Sequence, residues 1–207
     1  MKQACAADLC RYPFLIWDMD GTILDSMPYW TNLGRDYLVS VGITPPQNLH
    51  EIIDAMTMEE SARYFRQTLG LDKPEETIIE EIFSLIADEY RQLVPAKAFA
   101  AGACRMCVLT TSDKELASQA LRRVGMLDCF EAILSTDTLG LDKRSGTIYE
   151  RTCELLGFDI AQTLICEDAP YAIRAAKQTK AKVLAVYDPE SEGDWDALCR
   201  LADWWVK

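Results

Sequence analysis

The pattern of apolar positions divides the chain into two kinds of sequence. Residues 12–17 form an apolar run that does not alternate with polar residues, which is typical of a parallel strand covered on both faces. From about residue 27 to residue 94, apolar residues recur at helical spacing and the pattern predicts no strand. After Pro95, short apolar runs alternate with helical segments. The pattern therefore indicates an α/β unit interrupted by a helical segment.

The part of the chain after Pro95 supplies most of the predicted strands. These strands are residues 106–110, 132–135, 163–166 and 182–188, and a last short helix and strand follow them. Between the strands we predict helices, one opened by a capping box of Ser112 and Glu115 and one ended by Gly157. Strands that alternate with helices at this spacing predict an α/β fold with a doubly wound parallel sheet.

The predicted domains follow from this pattern. We expect a discontinuous α/β core of residues 1–26 and 95–207, with a helical cap of residues 27–94 inserted after the first strand. Asp25 and Ser26 are interpreted as the N-cap of the first cap helix, and Thr57 with Glu60 has the spacing of a capping box. We expect the insertion to act as a lid.

Composition narrows the classes of function. The 207 residues are 49% apolar, which is enough for a substantial core, and 33 acidic against 21 basic residues give a net charge of −12. A surface of this sign repels nucleic acid and anionic lipid, so we expect neither as a partner. The first seventeen residues lack the pattern of an export signal, and no run approaches the roughly 18 apolar residues of a membrane span. We therefore expect a cytoplasmic protein.

The eight cysteines are interpreted as thiols of a reducing compartment. Cys107, Cys153 and Cys166 lie in apolar settings that are typical of small core residues. Cys104 and Cys107 have the C-x-x-C spacing of redox or zinc sites, but the sequence contains no second pair and its only histidine, His50, is distant. Packing is therefore favoured over a metal or redox role for this pair.

Polar side chains gather where the predicted strands end. In an open parallel sheet, ligands bind outside the carboxyl ends of the strands. The residues that this rule brings together are Asp18, Asp20, Thr110, Thr111, Ser112, Lys143, Glu167 and Asp168. Carboxylates gathered at one place repel each other unless a cation is bound, and a set of oxygen ligands favours Mg²⁺.

The hydroxyl groups and the lysine extend this prediction to an anion. Hydroxyls and backbone amides at the start of the helix near Ser112 can hold a phosphate, with the Lys143 ammonium opposite. An acidic metal site beside a phosphate site indicates phosphoryl transfer. Because the chain has no Walker-type glycine loop for a nucleotide, we expect a carboxylate nucleophile and an aspartyl-phosphate intermediate.

These residues resemble the four motifs of the haloacid dehalogenase superfamily, in particular its phosphatases with a small helical cap. The corresponding segments are DMDGT, VLTTS, Lys143 ahead of IYE, and CEDAPYAIRAAK, and the resemblance covers nearly the whole chain. It implies a Rossmann-like core, Mg²⁺ as cofactor and a small phosphorylated metabolite as substrate.

The resemblance also implies a role for each site residue. Asp18 would be the nucleophile, and Asp20 would be the general acid and then the base that activates water. Thr110, Thr111 and Lys143 would bind the phosphate. The ligands of Mg²⁺ would be Asp18, Asp20 through its backbone carbonyl, Asp168, and Glu167 directly or through water. An acid at position 20 favours phosphate esters over carbon–halogen bonds, because a halide leaves without a proton.

The chain departs from the family pattern in three places. Arg144-Ser145-Gly146 replaces the usual Pro-Asp-Pro after the lysine, and Tyr171-Ala172 stands where a glycine is common. The segment 95–105 is about two helical turns shorter than the usual helix before the second strand. We expect this shortening to expose apolar surface or to be covered by another element or subunit. It predicts reduced stability or a homodimer in place of a monomer.

Two other functions stay open at this point. Sugar-phosphate mutases of the β-phosphoglucomutase type share the motifs and the cap but carry a histidine where this chain has Trp30, which favours hydrolysis. A non-catalytic binding module with the same fold is the second alternative. The four motif residues Asp18, Asp20, Lys143 and Asp168 are all present, which argues against it.

Overall fold

A computed structural model describes residues 2–53, 56–92, 94–97 and 104–207 of the chain. The chain divides into two compact units, an α/β unit (Met1–Asp25 and Pro95–Lys207) and a helical unit (Ser26–Val94). Within the described ranges, no helix is both long and apolar enough to cross a membrane.

The α/β unit is built on a parallel sheet. Its strands are β1 (Lys2–Gln3), β2 (Phe14–Trp17), β3 (Arg105–Thr110), β4 (Ala132–Ser135), β5 (Thr163–Glu167), β6 (Lys182–Val186) and β7 (Trp204–Val206). They lie in the order β1-β7-β6-β5-β2-β3-β4, and every pair of neighbours is parallel. The predicted α/β class with a doubly wound parallel sheet is therefore confirmed. The two-residue strand β1, at the sheet edge, was not predicted.

The central strand β2 explains why its sequence is apolar without alternation. Leu15 and Ile16, which point to opposite faces of the sheet, are both almost fully buried. One face belongs to a core cluster that also contains Ile165 of β5 and Val183 of β6. On the other face, Leu15 and Leu164 have no exposed surface. Exposed apolar surface, one of the two outcomes expected from the shortened segment, is therefore not found at these strand positions.

Helices follow the strands of the α/β unit. They are α1 (Ala6–Leu9), α6 (Lys114–Arg123), α7 (Thr136–Leu139), α8 (Thr147–Leu156), α9 (Pro170–Ala176) and α10 (Trp195–Leu201). Helix α8 ends as predicted at Gly157, whose φ of 67° is in the left-handed region that favours glycine. The capping box predicted for α6 is wrong, because its N-cap is Asp113, whose Oδ1 accepts the Leu116 N–H at 3.0 Å. The short helix α7 was not predicted.

The helical unit consists of amphipathic helices packed on their apolar sides. They are α2 (Met27–Ser40), α3 (Leu49–Ile53), α4 (Met58–Gln67) and α5 (Glu75–Gln92). The capping box of Thr57 and Glu60 is confirmed, since each side chain accepts a bond from the other residue's backbone N–H. Ser26, not Asp25, is the N-cap residue of α2. Tyr37 and Phe65 are buried with their rings stacked 6.2 Å apart.

Two short segments of the α/β unit border the helical insertion in sequence and pair with each other. Leu24 bridges Ala96 in antiparallel fashion, and the N–H of Asp25 donates to the Pro95 carbonyl at 2.9 Å. The N–H of Lys97 donates to the Ile23 carbonyl at 2.8 Å. Most of the shortened segment, residues 98–103, lies outside the described residues, so its expected effect on stability and assembly stays a prediction.

Candidate active site

The register of the sheet brings two acidic motifs together at its carboxyl edge. Trp17 of β2 is paired with Cys166 of β5, so the next residues, Asp18 and Glu167, lie side by side. The N–H of Asp18 donates to the Cys166 carbonyl at 2.9 Å, which holds the start of the first loop against the end of β5. Neighbouring parallel strands thus fix the positions of residues about 150 apart in the chain.

A buried cluster of three carboxylates and one lysine lies at this edge. One side-chain oxygen from each of Asp18, Glu167 and Asp168 lies within 4.8 Å of the others, and the three residues are 7%, 1% and 4% exposed. Lys143, 2% exposed, donates to Asp18 Oδ1 and, at 2.8 Å, to Glu167 Oε1. The Tyr149 hydroxyl donates to the same Glu167 oxygen at 3.3 Å.

The cluster holds more negative than positive charge, and the pKa values change accordingly. Burial lowers the pKa of Lys143, but the charges of Asp18 and Glu167 outweigh burial and raise it, so the side chain stays an ammonium. Burial raises the pKa of Asp18 well above its usual value; Lys143 opposes this rise, and Glu167 adds to it. Burial and then the charge of Glu167 raise the pKa of Asp168 to about 7.

The donor set fits a hard divalent cation. Asp18, Glu167 and Asp168 offer only oxygen atoms, the ligand type that Mg²⁺ prefers. Glu167 Oε2 is buried and has no hydrogen-bond partner among the described residues, although a buried carboxylate oxygen ordinarily has one. Asp168 is oriented through Oδ1, which accepts the Thr22 hydroxyl at 2.8 Å. A cation at this position would satisfy the unpartnered oxygen and offset the surplus negative charge.

Asp20 lies on the loop that follows β2 and is partly exposed. The loop turns back at Gly21, where φ is 81°, and the Gly21 N–H donates to the Leu24 carbonyl at 2.9 Å. Asp20 Oδ2 accepts the hydroxyl of Ser112, which follows β3, at 2.8 Å. Asp20 thus contacts the end of β3, whereas Asp18 contacts the end of β5.

The two predicted threonines differ in their surroundings. Thr110, the last residue of β3, is fully buried, and its Oγ1 accepts the Ser112 N–H at 3.0 Å. Thr111 is exposed and lines a cleft of about 520 Å³. The same cleft is lined by Arg144 and Tyr171, where the guanidinium carbon lies 4.7 Å from the ring centroid. Tyr171, one of the departures from the family pattern, is therefore a wall of this cleft.

The loop that carries Lys143 has hydrogen bonds of its own in place of the missing prolines. Asp142 Oδ1 accepts the Arg144 N–H at 2.7 Å, and the Asp142 carbonyl accepts the Ser145 N–H at 3.1 Å. A Cβ at Gly146 would lie 3.0 Å from the Ala175 carbonyl oxygen, a tight contact that only a residue without a side chain avoids without a shift of the neighbouring atoms. These contacts account for the burial of the lysine in a loop of unusual sequence.

A second ion pair, with a buried carboxylate and a partly buried lysine, lies in the same unit. Lys97 Nζ donates to Asp188 Oδ2 and to the Gly21 carbonyl, both at 2.5 Å, and to the Tyr187 carbonyl at 3.2 Å. Asp188 is fully buried, and its Oδ1 accepts the Glu190 N–H at 3.0 Å. Both carboxylate oxygens of Asp188 therefore have partners. In Glu167, by contrast, Oε1 has partners and Oε2 has none among the described residues.

The comparisons with known proteins agree with this arrangement. The sequence model of the family described as "Haloacid dehalogenase-like hydrolase" matches residues 15–186, which include every predicted site residue. The chain belongs to this family.

Among relatives of this hydrolase, hexitol phosphatase B of Escherichia coli (strain K12) is 26% identical over 191 residues, covering 86% of this chain and 85% of the relative. The fructose-1-phosphate phosphatase of the same organism is 26% identical over 176 residues, covering 81% of this chain and 92% of the relative. A putative β-phosphoglucomutase from Thermotoga maritima has the same fold, with a TM-score of 0.79, 20% identity and 94% of each chain covered.

In this hydrolase, the structure brings together some of the predicted residues and separates others. Asp18, Lys143, Glu167 and Asp168 form one buried cluster. Asp20 and Thr110 are linked through Ser112, whereas Thr111 is exposed at the cleft.

Sequence reasoning missed four residues of the site and its surroundings: Thr22, Tyr149, Lys97 and Asp188. Thr22 belongs to the DMDGT motif and could have been found there. Asp188 ends the predicted strand 182–188 and could have been found by the strand-end rule. Tyr149 and Lys97 have no sequence signal, because their roles depend on which distant residue each one contacts.

Proposed function

We propose that this chain is a Mg²⁺-dependent phosphatase that hydrolyses a small phosphorylated metabolite through an aspartyl-phosphate on Asp18. The observation that carries the proposal is the buried cluster in which Lys143 contacts Asp18 while one oxygen of Glu167 has no partner among the described residues. Relatives named for hydrolysis of hexitol phosphates and fructose 1-phosphate support a phosphate ester as the substrate.

In the first step, one carboxylate oxygen of Asp18 attacks phosphorus, and the bond from phosphorus to the leaving oxygen breaks. Lys143 donates to Asp18 Oδ1, which holds the carboxylate in one orientation and favours attack by the other oxygen. Asp20 gives its proton to the leaving oxygen, so the product departs as an alcohol. Thr111, which is exposed at the cleft, donates its hydroxyl proton to a phosphoryl oxygen, while the fully buried Thr110 accepts the Ser112 N–H at the end of β3.

In the second step, the Asp20 carboxylate takes a proton from water, and the water oxygen attacks phosphorus. The bond between phosphorus and Asp18 breaks, which releases inorganic phosphate and regenerates the carboxylate. Asp18, Asp168, Glu167 and the Asp20 carbonyl would hold Mg²⁺, which when bound would neutralise charge on the phosphoryl oxygens.

The test is a screen of the purified full-length chain for phosphate release. Suitable substrates are sorbitol 6-phosphate, fructose 1-phosphate, glucose 1-phosphate, phosphoglycolate and p-nitrophenyl phosphate, each with Mg²⁺ and with chelator. We expect phosphate release that chelator abolishes and Mg²⁺ restores. Asp18→Asn should be inactive, with a loss on the order of 10⁵-fold, as for other enzymatic nucleophiles. Asp128→Asn, the same substitution at an exposed position, is the matched control.

The alternatives give different results in the same screen. An acid-quenched reaction should carry one phosphoryl group on the peptide that contains Asp18, and an active enzyme without this modification would contradict the aspartyl-phosphate. Conversion of glucose 1-phosphate to glucose 6-phosphate without net phosphate release would indicate a mutase. Phosphate binding without turnover of any ester would indicate a binding module.

A further inference from the structure

Ser112 has a position that its sequence pattern does not explain. With Glu115 it has the spacing of a capping box, yet the N-cap of α6 is the next residue, Asp113. The Ser112 hydroxyl instead donates to Asp20 Oδ2 at 2.8 Å, across 92 positions of sequence. Ser112 is only 7% exposed, so this hydrogen bond is shielded from water.

The backbone of the same residue contacts another site residue. The Ser112 N–H donates to Thr110 Oγ1 at 3.0 Å. Because Thr110 is fully buried at the end of β3, this bond holds the Ser112 backbone against the end of the strand. Ser112 is thus anchored to β3 by its backbone, while its side chain contacts the carboxylate assigned to the leaving group.

The Ser112 hydroxyl holds the Asp20 side chain from outside its own loop, whose backbone is fixed by hydrogen bonds among Met19, Gly21 and Leu24. Strand β2 ends at Trp17, and Asp20 lies beyond it on a loop, partly exposed. A general acid must be held within hydrogen-bond reach of the leaving oxygen, and an error of about 1 Å in its position can cost on the order of 10²-fold in rate. The Ser112 hydroxyl fixes one carboxylate oxygen and so sets the direction of the other.

We propose that Ser112 is a positioning residue that orients Asp20 for proton transfer to the leaving group. The proposal rests on the proposed phosphatase function. The proposal gives the two neighbouring residues different roles. Ser112 orients a reacting carboxylate, whereas Asp113 stabilises helix α6.

The test compares two esters that differ in their need for a general acid. p-Nitrophenolate leaves without a proton, whereas the alkoxide of sorbitol 6-phosphate must be protonated as it leaves. For Ser112→Ala we expect kcat/KM to fall about 10- to 100-fold with sorbitol 6-phosphate, the range of a hydrogen bond to a charged group, and less than about threefold with p-nitrophenyl phosphate. If another alkyl phosphate of the screen is hydrolysed faster, it replaces sorbitol 6-phosphate.

Three further variants show whether the loss comes from the hydroxyl group, from the helix cap or from the general acid. Ser112→Thr keeps the hydroxyl and should restore most of the activity with the alkyl ester. Asp113→Ala removes the helix cap and should lower the melting temperature without changing the ratio of the two activities. Asp20→Asn should show the same selectivity for the alkyl ester as Ser112→Ala, with a larger loss of about 10²- to 10⁴-fold.

The inference and the proposed function fail in distinguishable ways. Equal losses with both esters in Ser112→Ala, or no loss with either, would overturn the positioning role while Asp20→Asn remained selective. Because Asp20 is also the base of the second step, which both esters share, Asp20→Asn is compared by kcat/KM or by single-turnover phosphorylation of Asp18, which report the first step alone. Loss of selectivity in that quantity would overturn the assignment of Asp20 as the general acid, and the role of Ser112 with it. If Ser112→Ala does not fold, Ser112→Cys, with its weaker donor, should give an intermediate selective loss, and an unselective loss would contradict the proposal.

Discussion

Two lysine–carboxylate clusters with buried carboxylates lie in the described part of the α/β unit, and they differ in charge balance. Lys97 and Asp188 form a pair of one positive and one negative charge, and both oxygens of the carboxylate have partners. Lys143 is surrounded by Asp18, Glu167 and Asp168, and one oxygen of Glu167 has no partner among the described residues.

In our proposal, the difference separates a structural ion pair from a metal-binding site. A ligand would not lower the electrostatic energy of a pair whose charges balance and whose hydrogen bonds are complete. The role of such a pair is therefore to link two segments of the fold. A cluster with surplus negative charge is destabilised until something positive binds, and Lys143 alone does not supply enough. If this interpretation is correct, Mg²⁺ should affect the two clusters differently.

The largest effect is expected at Lys143. Lys143→Met leaves three buried carboxylates without their lysine, so the free energy of unfolding of the metal-free protein should fall by about 3–5 kcal/mol. Phosphatase activity should fall on the order of 10²- to 10³-fold, as when a donor to developing negative charge is removed. Urea unfolding with and without Mg²⁺ checks the comparison, since Mg²⁺ should restore part of the lost stability. A stability loss that Mg²⁺ does not change would contradict the role of surplus charge.

Lys97→Met should lower stability by a comparable amount but without a metal effect. It leaves Asp188 buried and unpaired, at a cost of about 3–5 kcal/mol in urea unfolding. The double variant Lys97→Met/Asp188→Asn removes the unpaired charge and should recover part of this loss. Recovery by Mg²⁺ comparable to that of Lys143→Met would mean that the two clusters are not distinct.

Replacing one aspartate in each cluster by asparagine should change the free energy of unfolding in opposite directions. Asp168→Asn removes a carboxylate whose pKa burial and Glu167 raise to about 7, so at pH 8 the metal-free protein should gain at least about 1.4 kcal/mol of stability. Asp188→Asn removes the charged acceptor of Lys97 and should lose about 1.5–3 kcal/mol. Melting temperatures and urea midpoints of the two variants show whether each one gains or loses stability. A loss of stability in both variants would contradict the difference between the clusters.

The smallest effect is a pH dependence of stabilisation by Mg²⁺. The raised pKa of Asp168 means that the metal-free folded state holds a proton there below about pH 7, which contributes stability that is lost as the pH rises through that value. The same proton competes with Mg²⁺. Stabilisation by a fixed Mg²⁺ concentration should therefore be smaller at pH 6 than at pH 8, by up to about 1.4 kcal/mol. Calorimetry at both pH values measures it, and Asp168→Asn, which lacks the titrating ligand, should show little difference.

Much of the site could be predicted because strand ends obey a general rule. The unalternating apolar run before Asp18 and the run before Glu167 both indicate buried parallel strands, and parallel strands present their carboxyl ends at one edge. That argument places the acids near each other without any knowledge of register. It does not reveal which acids accept hydrogen bonds from Lys143, because that depends on the paths of two loops.

Ser112 shows where local reasoning fails. Ser112 and Asp113 are both good cap residues, and a capping-box spacing favours the serine. In the structure Asp113 takes the cap and the Ser112 hydroxyl donates to Asp20, a contact that no short window of sequence contains. The unpredicted elements β1 and α7 are two and four residues long, too short for a periodic signal.

The sequence by itself determined the parallel α/β class, the main strands and the acidic residues that follow β2 and β5, because hydrophobic periodicity and turn chemistry act over a few residues. Only the tertiary structure decided the strand order and the partners of Lys143 and Lys97, which lie 125 and 91 positions from Asp18 and Asp188. The strength of a buried ion pair depends on distance through space and on exclusion of water. Both quantities exist only after the chain has folded.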